Sequence, residues 1–113
     1  MSQFMLLLYD DQTIFTKLSP EDMQKALEKY MAWRHLPITK DGKRLNDDHG
    51  KVLRLQGGKA TATDGPYSET KEILGGYYTI EAADYDEAVK HALTHPHVEL
   101  GGTIEVRKVF ERG

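Results

Sequence analysis

Three polar residues that alternate along the chain are the first candidates for chemistry. Tyr67, Glu69 and Lys71 follow the turn-forming sequence Asp64-Gly65-Pro66. The aspartate of this turn can accept hydrogen bonds from backbone N–H groups two residues on, and the proline stiffens the chain that follows. In an extended segment the three later side chains lie on one side. There a phenol, a carboxylate and an ammonium group can bind a polar ligand or transfer protons.

We therefore predict a ligand site that includes Asp64, Tyr67, Glu69 and Lys71. The alternative is structural: the turn fixes strand register, while Glu69 and Lys71 close the rim of a dimer.

A second candidate pair lies in the last predicted strand, residues 103–110. Ile104 and Val106 share one face of that strand, so Glu105 and Arg107 share the other. An acid and a base on a covered sheet face need water, each other or a ligand, because an unpaired buried charge is costly. Glu105 and Arg107 are therefore predicted to line a pocket; an ion pair between subunits that sets the register is the alternative.

Three histidines near the end of the second predicted helix are the nearest approach to a metal motif. His91 and His95 are spaced i, i+4, and His97 follows. The apolar stripe of that helix places His91 away from the core and His95 at its edge, and no carboxylate is placed to support a ligand. A solvated helix end, with imidazoles near the negative end of the helix dipole, is the preferred interpretation. No metal site and no cofactor are predicted.

Composition excludes several classes of protein. The 113 residues contain no cysteine, which rules out disulfides, zinc–thiolate sites and iron–sulfur clusters. With 15 basic and 18 acidic residues the formal charge is −3, which argues against direct binding to nucleic acid. No apolar run approaches the roughly 18 residues of a membrane span, and the N-terminus does not resemble a signal peptide. We expect a cytoplasmic protein that does not contact membranes.

Two helices must position these groups. Ser19-Pro20 has the residue types of a helix start, and Asp84 is a second candidate cap. Apolar residues recur at helical spacing after each start. They are Met23, Ala26, Leu27, Tyr30 and Met31 in the first helix and Tyr85, Ala88, Val89, Ala92 and Leu93 in the second. Leu36-Pro37 and Asp41-Gly42 are predicted to end the first helix.

Strands are predicted at residues 4–9, 51–56, 59–63, 77–81 and 103–110. Gly57-Gly58 joins the second and third as a hairpin. The order β-α-β-β-α-β predicts one domain over residues 1–113: a ferredoxin-like α+β protomer with an antiparallel sheet and two helices on one face.

The other face of that sheet needs a cover, since the first strand is apolar on both sides and Tyr77 and Tyr78 point to opposite faces. We predict a homodimer that packs face to face. The alternative is that the middle segment folds back over its own sheet.

A run of residues gives the chain a family resemblance. It begins at Thr63-Asp64-Gly65-Pro66-Tyr67, continues to Glu72, and is followed by Leu74-Gly75-Gly76-Tyr77, His95-Pro96 and Gly102-Thr103-Ile104-Glu105-Val106-Arg107. This run resembles the DGPF-type members of the YCII-related family, with Tyr67 in place of the family's phenylalanine. The resemblance implies a dimeric α+β barrel. Some relatives are thought to be small enzymes that use a His–Asp pair with the histidine on the first helix, but here that helix has no histidine before His35, at its end.

Three functions are compatible with these features. The first is a small-molecule-binding protein or cofactor-independent enzyme of the proton-transfer or lyase type, acting on a small polar or aromatic compound between the sheets of a dimer. The second is a non-catalytic regulatory or accessory module, since the resemblance links some relatives to sigma factors. The third is a protein whose dimer simply buries the charged residues.

Overall fold

A four-stranded antiparallel sheet forms the body of the molecule. The structure is a computed structural model that describes residues 1–67 and 71–111. Its elements are β1 (Ser2–Asp10), α1 (Pro20–Arg34), β2 (Thr39–Arg44), β3 (Lys51–Gln56), β4 (Lys59–Asp64), β5 (Ile73–Ala82), α2 (Tyr85–Ala92), α3 (Pro96–Glu99) and β6 (Thr103–Lys108). The sheet has the strand order β2-β5-β1-β6, and β3 and β4 pair separately. The predicted ferredoxin-like α+β protomer is confirmed.

The core lies between the sheet and the helices. Phe4, Leu6 and Leu8 of β1 are buried on the helix side, and Tyr78 and Ile80 of β5 lie beside them in register. Burial of alternate residues is what the pleat requires when one face of a sheet is covered. The helices contribute the buried residues Ala26, Trp33, Ala88 and Ala92.

Both predicted helix starts are confirmed. The Ser19 hydroxyl accepts the backbone N–H of Asp22 at 3.1 Å, and the Asp84 carboxylate accepts that of Glu87 at 2.9 Å. Each bond satisfies one of the N–H groups that the first turn of a helix leaves without a partner.

The second strand of the sheet was not predicted. β2 pairs with β5 immediately after α1, in a segment that the sequence pattern assigned to the end of the first helix. Its sequence, TKDGKR, contains no apolar residue. An edge strand can be polar because it is paired on one side only, so no hydrophobic alternation marks it.

The predicted hairpin exists but lies outside the main sheet. β3 and β4 pair around Gly57 and Gly58, whose φ angles of 57° and 82° suit a tight turn. Leu53 and Leu55 of this hairpin are 70% and 74% exposed. The strand pair is therefore an insertion between β2 and β5.

The sheet face opposite the helices is only partly covered in the described part of the chain. Met5, Leu7 and Tyr9 of β1 alternate with the buried residues and remain half-buried. Tyr77 lies on this open face and Tyr78 on the helix face, as predicted. No helix within residues 1–67 and 71–111 is long and apolar enough to cross a membrane.

Candidate functional site

A cavity of about 590 Å³ opens between α1 and one end of the sheet. Leu8 and Tyr78 contribute to it from the two central strands, and Leu27, Tyr30 and Met31 line it from α1. The volume lies within the range of about 300–1,000 Å³ that small-molecule sites occupy.

A tyrosine–histidine pair lines one wall of the cavity. The Tyr30 hydroxyl lies 2.8 Å from His97 Nδ1, and His97 Nε2 lies 2.8 Å from the backbone carbonyl oxygen of Tyr9. A carbonyl can only accept, so Nε2 carries a proton. In the neutral ring Nδ1 is then the acceptor for the Tyr30 hydroxyl.

A second pair stands beside the first. The backbone N–H of His97 donates to His95 Nδ1 at 3.0 Å, and His95 Nε2 lies 3.1 Å from the Tyr78 hydroxyl. Because Nδ1 is occupied as an acceptor, Nε2 carries the proton and donates it to Tyr78. The hydroxyl proton of Tyr78 has no acceptor within the described residues, and Tyr78 is one of the residues that line the cavity.

Burial keeps His95 and the two phenols uncharged. Desolvation lowers the pKa of His95 to about 4, with a smaller contribution from the nearby His97. Burial also raises the pKa of Tyr30 and of Tyr78, although the charge of Arg34 opposes the shift at Tyr78. His95 is therefore neutral at pH 7 and both phenols are protonated.

A glycine holds His97 in place. A Cβ atom on Gly102 would lie only 2.2 Å from His97 Nε2, so the imidazole packs directly against the glycine backbone. Only glycine allows so close an approach.

The expectation of a solvated histidine cluster is wrong for two of its three members. His95 and His97 are each 2% exposed. The prediction assumed that α2 continues to His95, but α2 ends at Ala92. His95 instead caps the short helix α3, and its side chain turns back into the core. His91 is half-buried, 3.8 Å from the Glu87 carboxylate. Within the described residues no group of three or more His, Asp or Glu side chains is placed to hold a metal ion.

Charged residues surround the cavity. Arg34 ends α1, Lys43 and Arg44 lie on β2, and Asp10 and Asp47 complete the set. Arg44 lies 3.7 Å from Asp47. The cavity therefore combines an apolar wall with a polar rim, which is typical of sites for small organic ligands.

Glu105 and Arg107 lie on the open face, away from this cavity. Ile104 and Val106 pack against the core, as the alternation predicted. Arg107 Nη1 is 3.5 Å from Glu105 Oε2, and the Tyr9 hydroxyl donates to Glu105 Oε1 at 3.2 Å. Burial and this hydrogen bond raise the pKa of Tyr9.

Asp64 and Tyr67 lie at the base of the hairpin. Asp64 pairs with the Lys51 ammonium group, and a Cβ atom on Gly65 would come within 1.8 Å of the His49 carbonyl oxygen. The turn is thus packed tightly against the chain before β3. Tyr67 is exposed, and the Arg54 guanidinium lies over its ring, with 5.1 Å between Arg54 Cζ and the ring centroid.

The cavity contains none of the predicted site residues that the structure describes. Asp64, Tyr67, Lys71, Glu105 and Arg107 are absent from its lining, and Glu69 lies outside the described residues. The sequence did not predict that Tyr30, Tyr78, His95 and His97 belong to one hydrogen-bonded site. The signal available for the histidines was Pro96, which suits the first position of a new helix and makes His95 its cap.

Comparison with known proteins gives two findings. The family model described as YCII-related domain matches residues 2–112. The chain is also similar to an uncharacterised protein of Rhizobium meliloti, with 29% identity over 94 residues, 79% of this chain and 76% of the relative. The family match agrees with the resemblance to YCII-related proteins that the sequence shows around Asp64-Gly65-Pro66.

Proposed function

The chain belongs to the YCII-related domain family, and from that premise we propose that it binds a small organic molecule in the cavity between α1 and the sheet. The observation that carries this proposal is the pair of tyrosines at the cavity, each supported by a buried histidine. Buried polar networks restrict side-chain motion when all their hydrogen bonds are made. The tyrosines are thus held ready for a ligand.

The same groups suit proton transfer without a cofactor. A ligand group that gives its proton to the Tyr30 oxygen allows the Tyr30 proton to pass to His97 Nδ1, 2.8 Å away. The imidazolium formed in this step keeps its hydrogen bond to the Tyr9 carbonyl. Tyr78 meanwhile donates its free proton to a ligand oxygen, which stabilises negative charge there.

The open face supports a homodimer. Met5 and Leu7 are half-buried apolar residues, and Leu7 stands in register between Tyr77 and Glu105. A second copy that packs on this face removes the apolar surface from water. In such a dimer the Glu105–Arg107 ion pair helps to set the register, and the ligand cavity lies on the opposite side of each sheet.

A thermal-shift screen against a metabolite library tests the binding proposal. Leu27 lines the cavity, so we expect Leu27→Trp to fill it. Leu93 is 70% exposed on α2 and does not line the cavity, so Leu93→Trp is the matched control. A ligand at a hundred times its Kd adds about 2.7 kcal/mol of stability. We expect such shifts in the wild type and the control and not in Leu27→Trp; shifts that persist in Leu27→Trp contradict the proposal.

Hydrogen exchange in the ligand tests the chemistry. Library compounds that bind are incubated with the protein in D2O, and loss of a C–H signal is followed by NMR. We expect exchange that disappears in Tyr30→Phe and persists in Tyr67→Phe, an exposed tyrosine of the hairpin base. Compounds that bind without exchange restrict the function to binding.

A further inference from the structure

The charged side chains at the cavity come from several parts of the chain. Arg34 ends α1, Arg44 lies on β2, and Asp10 and Asp47 are the acidic members. Lys43 also belongs to the lining, but its register opposite Tyr77 puts its side chain on the open face of the sheet. The remaining charges balance, so the sign of a ligand depends on which of them already has a partner.

The acidic groups at the rim and Arg44 already have partners, but the Arg34 side chain does not. Asp47 lies 3.7 Å from Arg44, and Asp10 accepts the backbone N–H of Gln12 at 2.6 Å. Within residues 1–67 and 71–111, the Arg34 side chain makes no hydrogen bond and no ion pair. The guanidinium of Arg34 is thus available, and its planar fork suits a carboxylate.

Arg34 stands on the cavity face of α1. It follows Leu27 and Tyr30 at intervals of seven and four residues, so the three side chains share one face of the helix. Tyr78 also lines the cavity, and the charge of Arg34 acts on its hydroxyl, where it opposes the rise in pKa that burial causes.

The rest of the lining is apolar and incompletely covered. It includes Leu8, Phe15, Leu27, Met31, Leu45 and Leu74, of which Leu27, Met31, Leu45 and Leu74 are exposed. An apolar ligand body that covers these side chains gains from their removal from water. A small inorganic anion covers little of this surface.

We propose that the ligand is an organic monocarboxylate with an aromatic or aliphatic body, whose carboxylate pairs with Arg34 and whose body lies against the apolar lining. This inference rests on the proposed function and specifies its ligand class. The carboxylate takes its hydrogen bonds from the Arg34 guanidinium and the Tyr78 hydroxyl, both of which belong to residues of the cavity lining.

The protein contains its own reporter for this cavity. Trp33 is the single tryptophan of the chain, and its ring centroid lies 5.0 Å from that of Tyr78, which lines the cavity. A titration followed by Trp33 fluorescence measures binding of phenylacetate, of its neutral analogue phenylacetamide and of acetate. We expect phenylacetate to bind at least about tenfold more tightly than either of the others.

Variants assign the charge preference to one residue. Arg34→Gln is expected to reduce phenylacetate binding to the level of phenylacetamide and to leave phenylacetamide binding unchanged. Arg54→Gln, which changes an arginine of the hairpin outside the cavity, is the matched control and should change neither. Circular dichroism verifies that each variant is folded.

The outcomes separate the ligand class from the proposed function. Equal binding of phenylacetate and phenylacetamide, unaffected by Arg34→Gln, overturns the carboxylate assignment while binding in the cavity stands. The carboxylate assignment is also overturned if the library compounds whose binding Leu27→Trp abolishes are neutral or cationic. Failure of both probes, together with no library compound blocked by Leu27→Trp, overturns both proposals.

Discussion

His95 shows how a buried ionisable group can be accommodated without charge. Its Nδ1 accepts the backbone N–H of His97 and its Nε2 meets the Tyr78 hydroxyl, so both ring nitrogens are satisfied. The ring also packs edge-on against Tyr30 and Trp33, with centroids 4.7 and 5.1 Å away. Protonation would place a charge among these rings.

The pKa of His95 makes stability depend on pH. It is lowered from 6.5 to about 4 in the folded protein, so the unfolded chain binds a proton more readily between these values. The contribution of His95 is complete above pH 6.5 and falls by up to about 3 kcal/mol as the pH drops towards 4. Urea unfolding at several pH values should show this loss in the wild type and not in His95→Gln. Parallel pH profiles for the two proteins would contradict it.

The face on which a residue lies was predictable where the information was local, but the residues of the cavity were not predicted. Alternation along β6 is enough to place Glu105 and Arg107 opposite Ile104 and Val106. The tyrosine–histidine pairs could not be found in this way, because Tyr30 and His97 are 67 residues apart and Tyr78 and His95 are 17 apart. Their partnership depends on how α1, β5 and α3 pack.

At the scale of elements, the two longer helices, the central strands and the edge strand β6 were predictable, whereas the edge strand β2 and the short helix α3 were not. Capping residues and apolar periodicity are local signals, and they located α1, α2, β1 and β6. β2 carries neither signal, because a polar edge strand is held by its backbone hydrogen bonds to β5. The hairpin was recognised, but its separation from the main sheet depends on tertiary structure.

The hairpin is expected to open more readily than the main sheet. β3 and β4 pair only with each other, and an isolated two-stranded hairpin is marginally stable in water. Backbone amides of Lys51–Gln56 should therefore exchange with deuterium at least about tenfold faster than those of Ile73–Ala82, as measured by mass spectrometry of peptides. Equal protection of the two segments would mean that the hairpin is covered in solution.

At the scale of the whole molecule, the protomer is a slab of 46 × 46 × 18 Å with helices on one side only. This shape leaves the face that carries Met5, Leu7 and Tyr9 without a covering layer in the described part of the chain. A stable α+β fold generally buries both faces of a sheet or exposes a polar one. The proposed homodimer meets that requirement by covering the open face with a second copy of the chain.

Leu7→Lys tests the dimer. Leu7 lies mid-way along the open face, in register with Tyr77 and Glu105, so a lysine there places a charge within the proposed interface. We expect the wild type to sediment as a dimer and the variant to dissociate at least about tenfold more readily. Leu93→Lys, on exposed α2, should remain dimeric. A monomeric wild type, or a Leu7→Lys variant that stays dimeric, would argue against this interface.

Tyr9 belongs to both faces of the sheet at once. Its backbone carbonyl holds His97 on the cavity side, and its hydroxyl holds Glu105 on the open side. A ligand that shifts His97 therefore acts on the same residue that association of two copies would cover. Thermodynamic linkage makes any such coupling reciprocal. If the ligand changes the dissociation constant of the dimer by some factor, dimerisation changes the dissociation constant of the ligand by the same factor. In the proposed dimer, a coupling of this kind would make the apparent ligand affinity depend on the protein concentration.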